Sequence, residues 1–190
     1  MKQNSKQIFG SILVANKIFL SVLIFAFTLA ACSGKKDITD PISMGDPISM
    51  GDTAPAFTLK SLDGVDVSLS NFSSKVVVLF FLGSSCPSCK AAAPSVQSML
   101  VTPFASEANY MILGLDQWNG NAAAVQAFKT ATNVTFPLLL NAAGVATIYK
   151  TTYDRIVVID KAGKIAFNGN QVAALDIATA KAKVTELLAK

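Results

Sequence analysis

The sequence predicts an α/β fold in which helices flank a central mixed β-sheet and a β-hairpin comes first. Two observations predict this fold: apolar strand-like runs alternate with helix-like runs from residue 54 onward, and turn residues separate the runs. The clearest run, residues 76–82, contains only Val, Leu and Phe, which is typical of a strand buried on both faces. A chain of 190 residues is long enough for one domain with a substantial core.

The elements follow from local patterns in chain order. Asp63-Gly64 separates two alternating segments, 57–60 and 65–69, and this predicts the hairpin. Asp176 is the predicted N-cap of the last helix. The other predictions are a strand at 76–82, a helix from about residue 86, a strand at 110–115, a helix at 121–130, a strand at 136–140, a short helix at 142–149, strands at 156–159 and 165–167, and an amphipathic helix at 176–188.

The segment Cys86-Pro87-Ser88-Cys89 stands where the first long strand is expected to pass into a helix. Cysteines three apart at a helix start lie on one face with Cα atoms about 5 to 5.5 Å apart, a separation that a disulfide can bridge. The unpaired N–H groups and positive dipole end of a helix N-terminus favour a thiolate. We therefore predict a redox-active dithiol in which Cys86 attacks a substrate sulfur and Cys89 resolves the mixed disulfide.

Other uses of a Cys-x-x-Cys pair fit the sequence less well. A c-type haem site needs His directly after the second cysteine, but residue 90 is Lys and the chain contains no histidine. A zinc site built from cysteines alone needs four of them, and the chain has three. No cofactor is predicted. The alternative is that the two cysteines form a structural disulfide or are inert buried thiols. A disulfide that closes so short a loop restrains the unfolded chain little, so it would stabilise the fold little.

The N-terminus has the pattern of an export signal. A basic region with three lysines precedes the apolar stretch 18–31, which is too short to span a membrane. This stretch ends in Leu29-Ala30-Ala31-Cys32 and resembles the lipobox of bacterial lipoproteins, in which the cysteine receives a lipid and becomes the mature N-terminus. Residues 1–31 are thus a predicted signal peptide and Cys32 a predicted lipid attachment site. An uncleaved membrane anchor is the alternative, and both place the rest of the chain outside the cytoplasmic membrane.

A composition shift separates the leader from the domain. Residues 32–52 contain the tandem hexapeptide 40–45 and 46–51, which is rich in turn residues and predicts a flexible tether. The predicted folded domain is 53–190. Residues 32–190 carry 13 basic and 12 acidic side chains, so the charge gives no reason to expect nucleic acid binding.

Four segments of the domain from about residue 51 to 190 match a known family pattern. They are Ala54–Leu59, Phe80–Lys90 with Pro94 further along the helix, Phe136–Leu139 and Ile156–Ile165. On these residues the domain resembles the thioredoxin-like superfamily, and within it the membrane-tethered TlpA/ResA-type thiol-disulfide oxidoreductases of redoxin (AhpC/TSA) ancestry. The resemblance implies a thioredoxin-like fold, a helix kinked at Pro94, exchange of disulfides with exported cysteine-containing proteins, and a membrane or periplasmic thiol-disulfide partner for recycling.

The chain also departs from this family. Ser85 replaces the usual Trp before the first cysteine, and Asp154 occupies the place of the cis-proline. Arg155, the only arginine, follows it. These two charges either form ordinary surface ion pairs or replace the proline loop and tune the thiols. In the second case we expect a trans Tyr153–Asp154 peptide and Asp154 nearer the sulfur, where its charge disfavours a thiolate and makes the couple more reducing.

Three functional questions stay open at this stage. Asp116 is the nearest candidate for the buried acid that assists proton transfer in relatives, and a capping role is the alternative. A peroxiredoxin-like peroxidase is the competing enzyme, but Gly83 and Leu79 replace its Thr and Pro, and only Arg155 supports it. A copper(I) carrier that uses the two thiolates is the non-enzymatic alternative. The preferred function is a reductase.

Overall fold

The computed structural model describes residues 48–151, 154–169 and 172–190. The strands are β1 (Thr58–Lys60), β2 (Asp66–Ser68), β3 (Val76–Leu82), β4 (Tyr110–Asp116), β5 (Leu138–Leu139), β6 (Arg155–Ile159) and β7 (Ile165–Asn168). The α-helices are α1 (Pro87–Val96), α2 (Ala122–Thr132), α3 (Ala143–Ile148) and α4 (Ala173–Leu188). Short 3-10 turns lie at Leu69–Phe72 and Thr102–Phe104, and a π-helical turn at Gln97–Val101 continues α1.

The strands form a five-stranded mixed sheet in the order β5-β4-β3-β6-β7, and β1 and β2 pair as a separate antiparallel hairpin. β3 runs parallel to β4 and antiparallel to β6. Leu82 pairs with Asp116, so the carboxyl ends of β3 and β4 meet at one edge of the sheet. The α/β prediction with an N-terminal hairpin is thus confirmed.

Alternate residues of β3 face two apolar layers. Val78 and Phe80 belong to a core that includes residues of α1, α2 and α4, whereas Leu79 and Phe81 belong to a second core with α3. The hairpin packs against this second core. Burying such side chains contributes about 1.5–3 kcal/mol each, which explains why every residue of β3 is apolar. The fully buried strand therefore holds its carboxyl end, and the loop to α1, in a fixed position.

The predicted start of the last helix was wrong. α4 begins at Ala173 and not at Asp176, which is a buried residue of the first turn. The residue at the N-cap position is Val172, whose side chain cannot accept a hydrogen bond, so the start of α4 is not visible in the local sequence.

The folded domain also extends into the predicted tether. Ile48 is buried, and the Gly51 N–H donates to the Ile165 carbonyl at 2.8 Å. Residues 48–52 therefore pack on β7, although their turn-rich composition predicts a spacer. The predicted signal peptide 1–31, Cys32 and residues 33–47 of the tether lie outside the described residues. Within the described ranges, no helix is both long enough and apolar enough to cross a membrane.

Candidate active site

The loop between β3 and α1 places Cys86 at the start of the helix. The Cys86 N–H donates to the Gly83 carbonyl at 3.0 Å, which forms a tight turn, and Pro87 occupies the first helical position, where no N–H is needed. Cys86 is the N-cap residue, and its Sγ accepts the Cys89 N–H at 3.2 Å. Pro94 lies inside α1 as predicted, and its ring nitrogen has no N–H to donate to the preceding turn.

The two sulfurs differ in access. Both cysteines are free thiols, with Cys86 6% exposed and Cys89 fully buried. The Cys89 Sγ also accepts the Gly83 N–H at 3.3 Å. Burial first, and then the hydrogen bond with Cys86, raises the pKa of Cys89 well above its usual range. Cys89 is therefore a protonated, inward-facing thiol, while Cys86 is the one that a partner can reach.

Asp154 lies beside the dithiol at the start of β6. It is only 3% exposed, and one of its carboxylate oxygens and both cysteine sulfurs all lie within 4.8 Å of one another. Its Oδ1 accepts a hydrogen bond from the Ser88 hydroxyl at 3.2 Å, and its Oδ2 accepts the Ala173 N–H at 3.0 Å. Asp154 therefore supplies the cap that Val172 cannot provide for α4. The interpretation of Asp154 as part of a surface ion pair was wrong.

Ser88 is an exposed side chain that links the first cysteine to this carboxylate. Its Oγ lies 3.1 Å from the Cys86 Sγ and donates to Asp154. The sequence marks Ser88 only as a middle residue of the dithiol motif. Its contact with Asp154 joins residues 66 positions apart, and no local pattern reveals such a pair.

Arg155 is half-buried and contacts the neighbouring strand, with its Nη1 donating to the Asn168 Oδ1 at 3.4 Å. Of the two charged residues at this position, Asp154 is the one that meets the dithiol, as the sequence suggested. The expected trans peptide between Tyr153 and Asp154 involves a residue outside the described ranges.

Asp116 ends β4 and is also buried. Its Oδ1 accepts the Ser84 N–H at 2.9 Å and its Oδ2 accepts the Gly120 N–H at 2.5 Å. Both oxygens therefore hold backbone groups of the loops that follow β3 and β4. This geometry supports the capping role and not the role of an acid that exchanges protons with the thiols.

Sequence reasoning missed Trp118, the single tryptophan of the chain. Its indole is half-exposed and packs against Gly83 so closely that a Cβ at position 83 would collide with the ring. Position 85, where the family usually has Trp, holds Ser in this chain. The Trp118 indole instead contacts the dithiol loop from the connection between β4 and α2. A usable signal was its place just after β4, because ligands of α/β sheets bind at the carboxyl ends of strands.

Cys86, Cys89 and Asp154 are also the one group among the described residues whose donor atoms are close enough together to bind a metal ion. The third donor is a carboxylate oxygen, a hard ligand that suits Cu(I) poorly. The structure therefore gives the copper(I) carrier no support beyond the two sulfurs themselves.

Residues 50–168 match the model of the AhpC/TSA family, and the chain belongs to this family of thioredoxin-like redox proteins. The central mixed sheet, the hairpin and the flanking helices are those of the thioredoxin-like fold.

Two curated relatives come from Bacillus subtilis (strain 168). The thioredoxin-like protein YneN is 28% identical over 59% of this chain and 66% of its own length. Sporulation thiol-disulfide oxidoreductase A is 31% identical over 46% of this chain and 53% of its own length. The chain thus covers between half and two thirds of each relative. Among solved structures, a candidate protein disulfide isomerase of Bacteroides thetaiotaomicron is 29% identical, with a TM-score of 0.66, and the match covers 75% of this chain and 92% of that protein.

Proposed function

We propose that this protein is a thiol-disulfide oxidoreductase of the cell envelope that reduces disulfides of exported cysteine-containing proteins. The observation that carries the proposal is the asymmetry of the dithiol: Cys86 caps α1 and keeps a small exposed fraction of 6%, whereas Cys89 is fully buried. The names of the B. subtilis relative and of the Bacteroides structure point to the same class of reaction.

The reaction follows from this asymmetry. The Cys86 sulfur attacks one sulfur of a substrate disulfide, a Cys86–substrate disulfide forms, and the other substrate sulfur leaves and takes up a proton. Cys89 then attacks Cys86, which releases the second substrate thiol and leaves the Cys86–Cys89 disulfide. In the dithiol protein, the raised pKa of Cys89 keeps this thiol protonated, so Cys86 is the sulfur that attacks first.

The reducing direction rests on Asp154. The charge of Asp154 disfavours the Cys89 thiolate, so the reduced form gains less from ionisation and the couple becomes more reducing. A redox partner at the membrane or in the periplasm would then return the disulfide to the dithiol state. Equilibration with glutathione tests the direction, because a potential more oxidising than that of glutathione would contradict a reductase.

The roles of the two cysteines are tested by trapping. Cys89→Ser should accumulate mixed disulfides with exported proteins, because the resolving sulfur is missing, and Cys86→Ser should accumulate none above background. Non-reducing electrophoresis followed by mass spectrometry of the captured proteins measures both. Equal trapping by the two variants would contradict the assignment.

The location is proposed from the sequence. Cys32 is the proposed lipid attachment site, and lipidation would tether the domain to a membrane facing the periplasm or exterior. Cys32→Ala should release the protein from the membrane fraction or block its processing. A correctly cleaved variant that stays in the membrane would count against lipidation.

The two alternative functions have separate tests. A peroxidase would consume hydrogen peroxide as fast as it turns over thiols, whereas Arg155, the residue that kept this idea open, contacts Asn168 on β7. A copper(I) carrier would bind metal stoichiometrically and fail to reduce insulin disulfides. Insulin reduction without either property supports the oxidoreductase.

A further inference from the structure

A hydrogen-bonded chain leads from the Cys86 sulfur to a buried carboxylate. The Cys86 Sγ lies 3.1 Å from the Ser88 Oγ, and the Ser88 hydroxyl donates to the Asp154 Oδ1 at 3.2 Å. Ser88 has one hydroxyl hydrogen, and Asp154 receives it. At the contact with Cys86 the serine oxygen must therefore accept, so the Cys86 S–H is the donor. In the reduced protein the chain runs from thiol to hydroxyl to carboxylate.

We propose that Ser88 and Asp154 relay the proton of Cys86 during attack on a substrate disulfide, an inference that rests on the proposed function. As the Cys86 sulfur forms its bond to one substrate sulfur, its proton passes to Ser88 Oγ, and the Ser88 proton passes to Asp154 Oδ1. The substrate disulfide breaks, its second sulfur leaves as a thiolate, and this thiolate takes a proton from Asp154 or from water. Atoms and charges balance without any further reactant.

The bridging hydroxyl explains why the proton goes to Asp154. Once Cys86 loses its proton, the single Ser88 hydrogen cannot serve both a thiolate and a carboxylate. If Asp154 holds the released proton, its O–H donates to the Ser88 Oγ, and the Ser88 hydroxyl donates to the Cys86 Sγ. Each of the three groups then keeps a hydrogen-bond partner. The Asp154 carboxylate thus provides a proton acceptor during the reaction.

Other titratable or charged groups near the dithiol are engaged elsewhere. Asp116 accepts the N–H groups of Ser84 and Gly120, and Arg155 donates to Asn168. Three further groups belong to the helices α1 and α4: Lys90 of α1 is exposed, the Asp176 carboxylate of α4 lies against Gly169, and Cys89 is the buried thiol described above.

The test isolates the first chemical step. The reduced full chain with Cys89→Ser is mixed with oxidised glutathione, and the mixed disulfide at Cys86 is followed by mass spectrometry of the peptide. Ser88→Ala is the main variant, because it removes the bridging hydroxyl. Ser88 is exposed, and its substitution leaves the hydrogen bond from the Ala173 N–H to the Asp154 Oδ2 intact. Ser95→Ala is the matched control on the exposed side of the same helix, about 10 Å further along its axis.

We expect Ser88→Ala to slow this step about tenfold near pH 6 and by less than about twofold near pH 9.5, where hydroxide removes the thiol proton directly. The loss is smaller than the 10²-fold or more that is typical of general-base catalysis, because water reaches the exposed Ser88 site. Ser88→Thr, which keeps a hydroxyl, should recover most of the loss near pH 6. Ser95→Ala should match the parent at both pH values.

Asp154 is identified as the acceptor by a second comparison. In an Asp154→Asn protein, whose amide oxygen can still cap α4, adding Ser88→Ala should cause no further loss near pH 6, because the chain is already broken. The relay is rejected if Ser88→Ala has the same effect in the presence and absence of the Asp154 carboxylate. It is also rejected if the Ser88→Ala loss is absent near pH 6 or equal at both pH values.

The failure of the relay can be told from the failure of the proposed function. A parent protein that forms no mixed disulfide at Cys86 contradicts the oxidoreductase itself. A parent that forms it, with Ser88→Ala equally fast near pH 6, contradicts only the relay.

Discussion

Two buried carboxylates lie near the dithiol end of the sheet, and their oxygens bond to different kinds of donor. Asp116, at the end of β4, accepts two backbone N–H groups from Ser84 and Gly120. Asp154, at the start of β6, accepts one backbone N–H from Ala173 and one side-chain hydroxyl from Ser88. A backbone amide cannot pass on its proton in a reaction of this kind, whereas a hydroxyl can. Asp116 therefore has a structural role, whereas Asp154 has a structural role and, in the proposed relay, a chemical one.

The comparison shows why burial alone does not identify a reacting acid. Both carboxylates are at least 97% buried, and both lie at the edge of the sheet where ligands of α/β proteins bind. They differ in their hydrogen-bond donors and in their distance from the dithiol, because only Asp154 has an oxygen within 4.8 Å of both sulfurs. The following substitutions test that separation, from the largest expected effect to the smallest.

The largest effect is expected from Asp116→Ala. The substitution leaves the N–H groups of the buried Ser84 and the half-buried Gly120 without this acceptor, and a buried group that loses its partner costs about 1–3 kcal/mol. We expect the free energy of unfolding to fall by about 3 kcal/mol, measured by urea denaturation. Asp160→Ala is the matched control, because Asp160 also accepts two backbone N–H groups, from Ala162 and Lys164.

The turn that contains Asp160 is open to water, so this control should cost less than half as much. Equal losses in the two variants would mean that burial of the Asp116 bonds is unimportant, and the structural half of the comparison would fail.

A smaller loss of stability is expected from Asp154→Ala. It removes the cap of α4, and loss of an N-cap costs about 1 kcal/mol. Val172→Ser introduces a capping hydroxyl at the N-cap position itself, where the backbone is already extended. The double variant should regain the unfolding free energy but not the fast reaction of Cys86 near pH 6. If Val172→Ser restored both, Asp154 would act on the thiol only by fixing α4.

The sequence predicts the part of the site that depends on neighbouring residues. The bounds of β3 agree with the prediction to the residue, and α1 begins within one residue of it, because an apolar run, a turn and a proline at the first helical position are all local signals. The same reasoning places Cys86 at the helix start and Cys89 one turn inside it.

The rest depends on contacts between distant segments. Asp154 caps α4 from 19 positions earlier in the chain, so the helix starts three residues before the predicted cap at Asp176. Trp118 reaches Gly83 from another loop, and Ser88 meets Asp154 across the sheet edge. Periodicity and capping rules use only the residues of a single segment. They therefore could not predict which side chain from a distant segment would cap that segment or pack against it.

The buried thiol offers a third test of the two carboxylates. The charge of Asp154 adds to burial and to the Cys86 hydrogen bond in raising the pKa of Cys89. Asp154→Asn should therefore lower the pH at which Cys89 ionises, and Asp116→Asn should leave it unchanged. Titration of the ¹³Cβ shift of Cys89 in the reduced protein measures both. A fall in the Asp116→Asn protein as large as that in Asp154→Asn would show that the charge of Asp116 acts on Cys89 equally, and the contrast between the two carboxylates would fail.

The smallest effect is expected from an exposed carboxylate at the other end of α4. Lys183 and Lys190 bond to Glu186 at 2.6 and 2.8 Å and lower the pKa of its carboxyl from 4.5 to about 2. A carboxyl whose pKa is lowered by folding adds stability above its unfolded pKa and loses it as the pH falls from about 4.5 towards 2. Glu186 is exposed, so salt screens this pair and the contribution is small.

Thermal unfolding of Glu186→Gln at low salt should show a slightly lower midpoint at neutral pH and no difference from the parent near pH 2. At physiological salt we expect no measurable change at either pH. Glu107→Gln, an exposed carboxylate for which the described residues contain no ion pair, should match the parent throughout. A loss in Glu186→Gln as large as in Asp154→Ala would mean that charge, and not the buried hydrogen bonds, sets the contribution of each carboxylate, and the contrast between Asp116 and Asp154 would then need another physical cause.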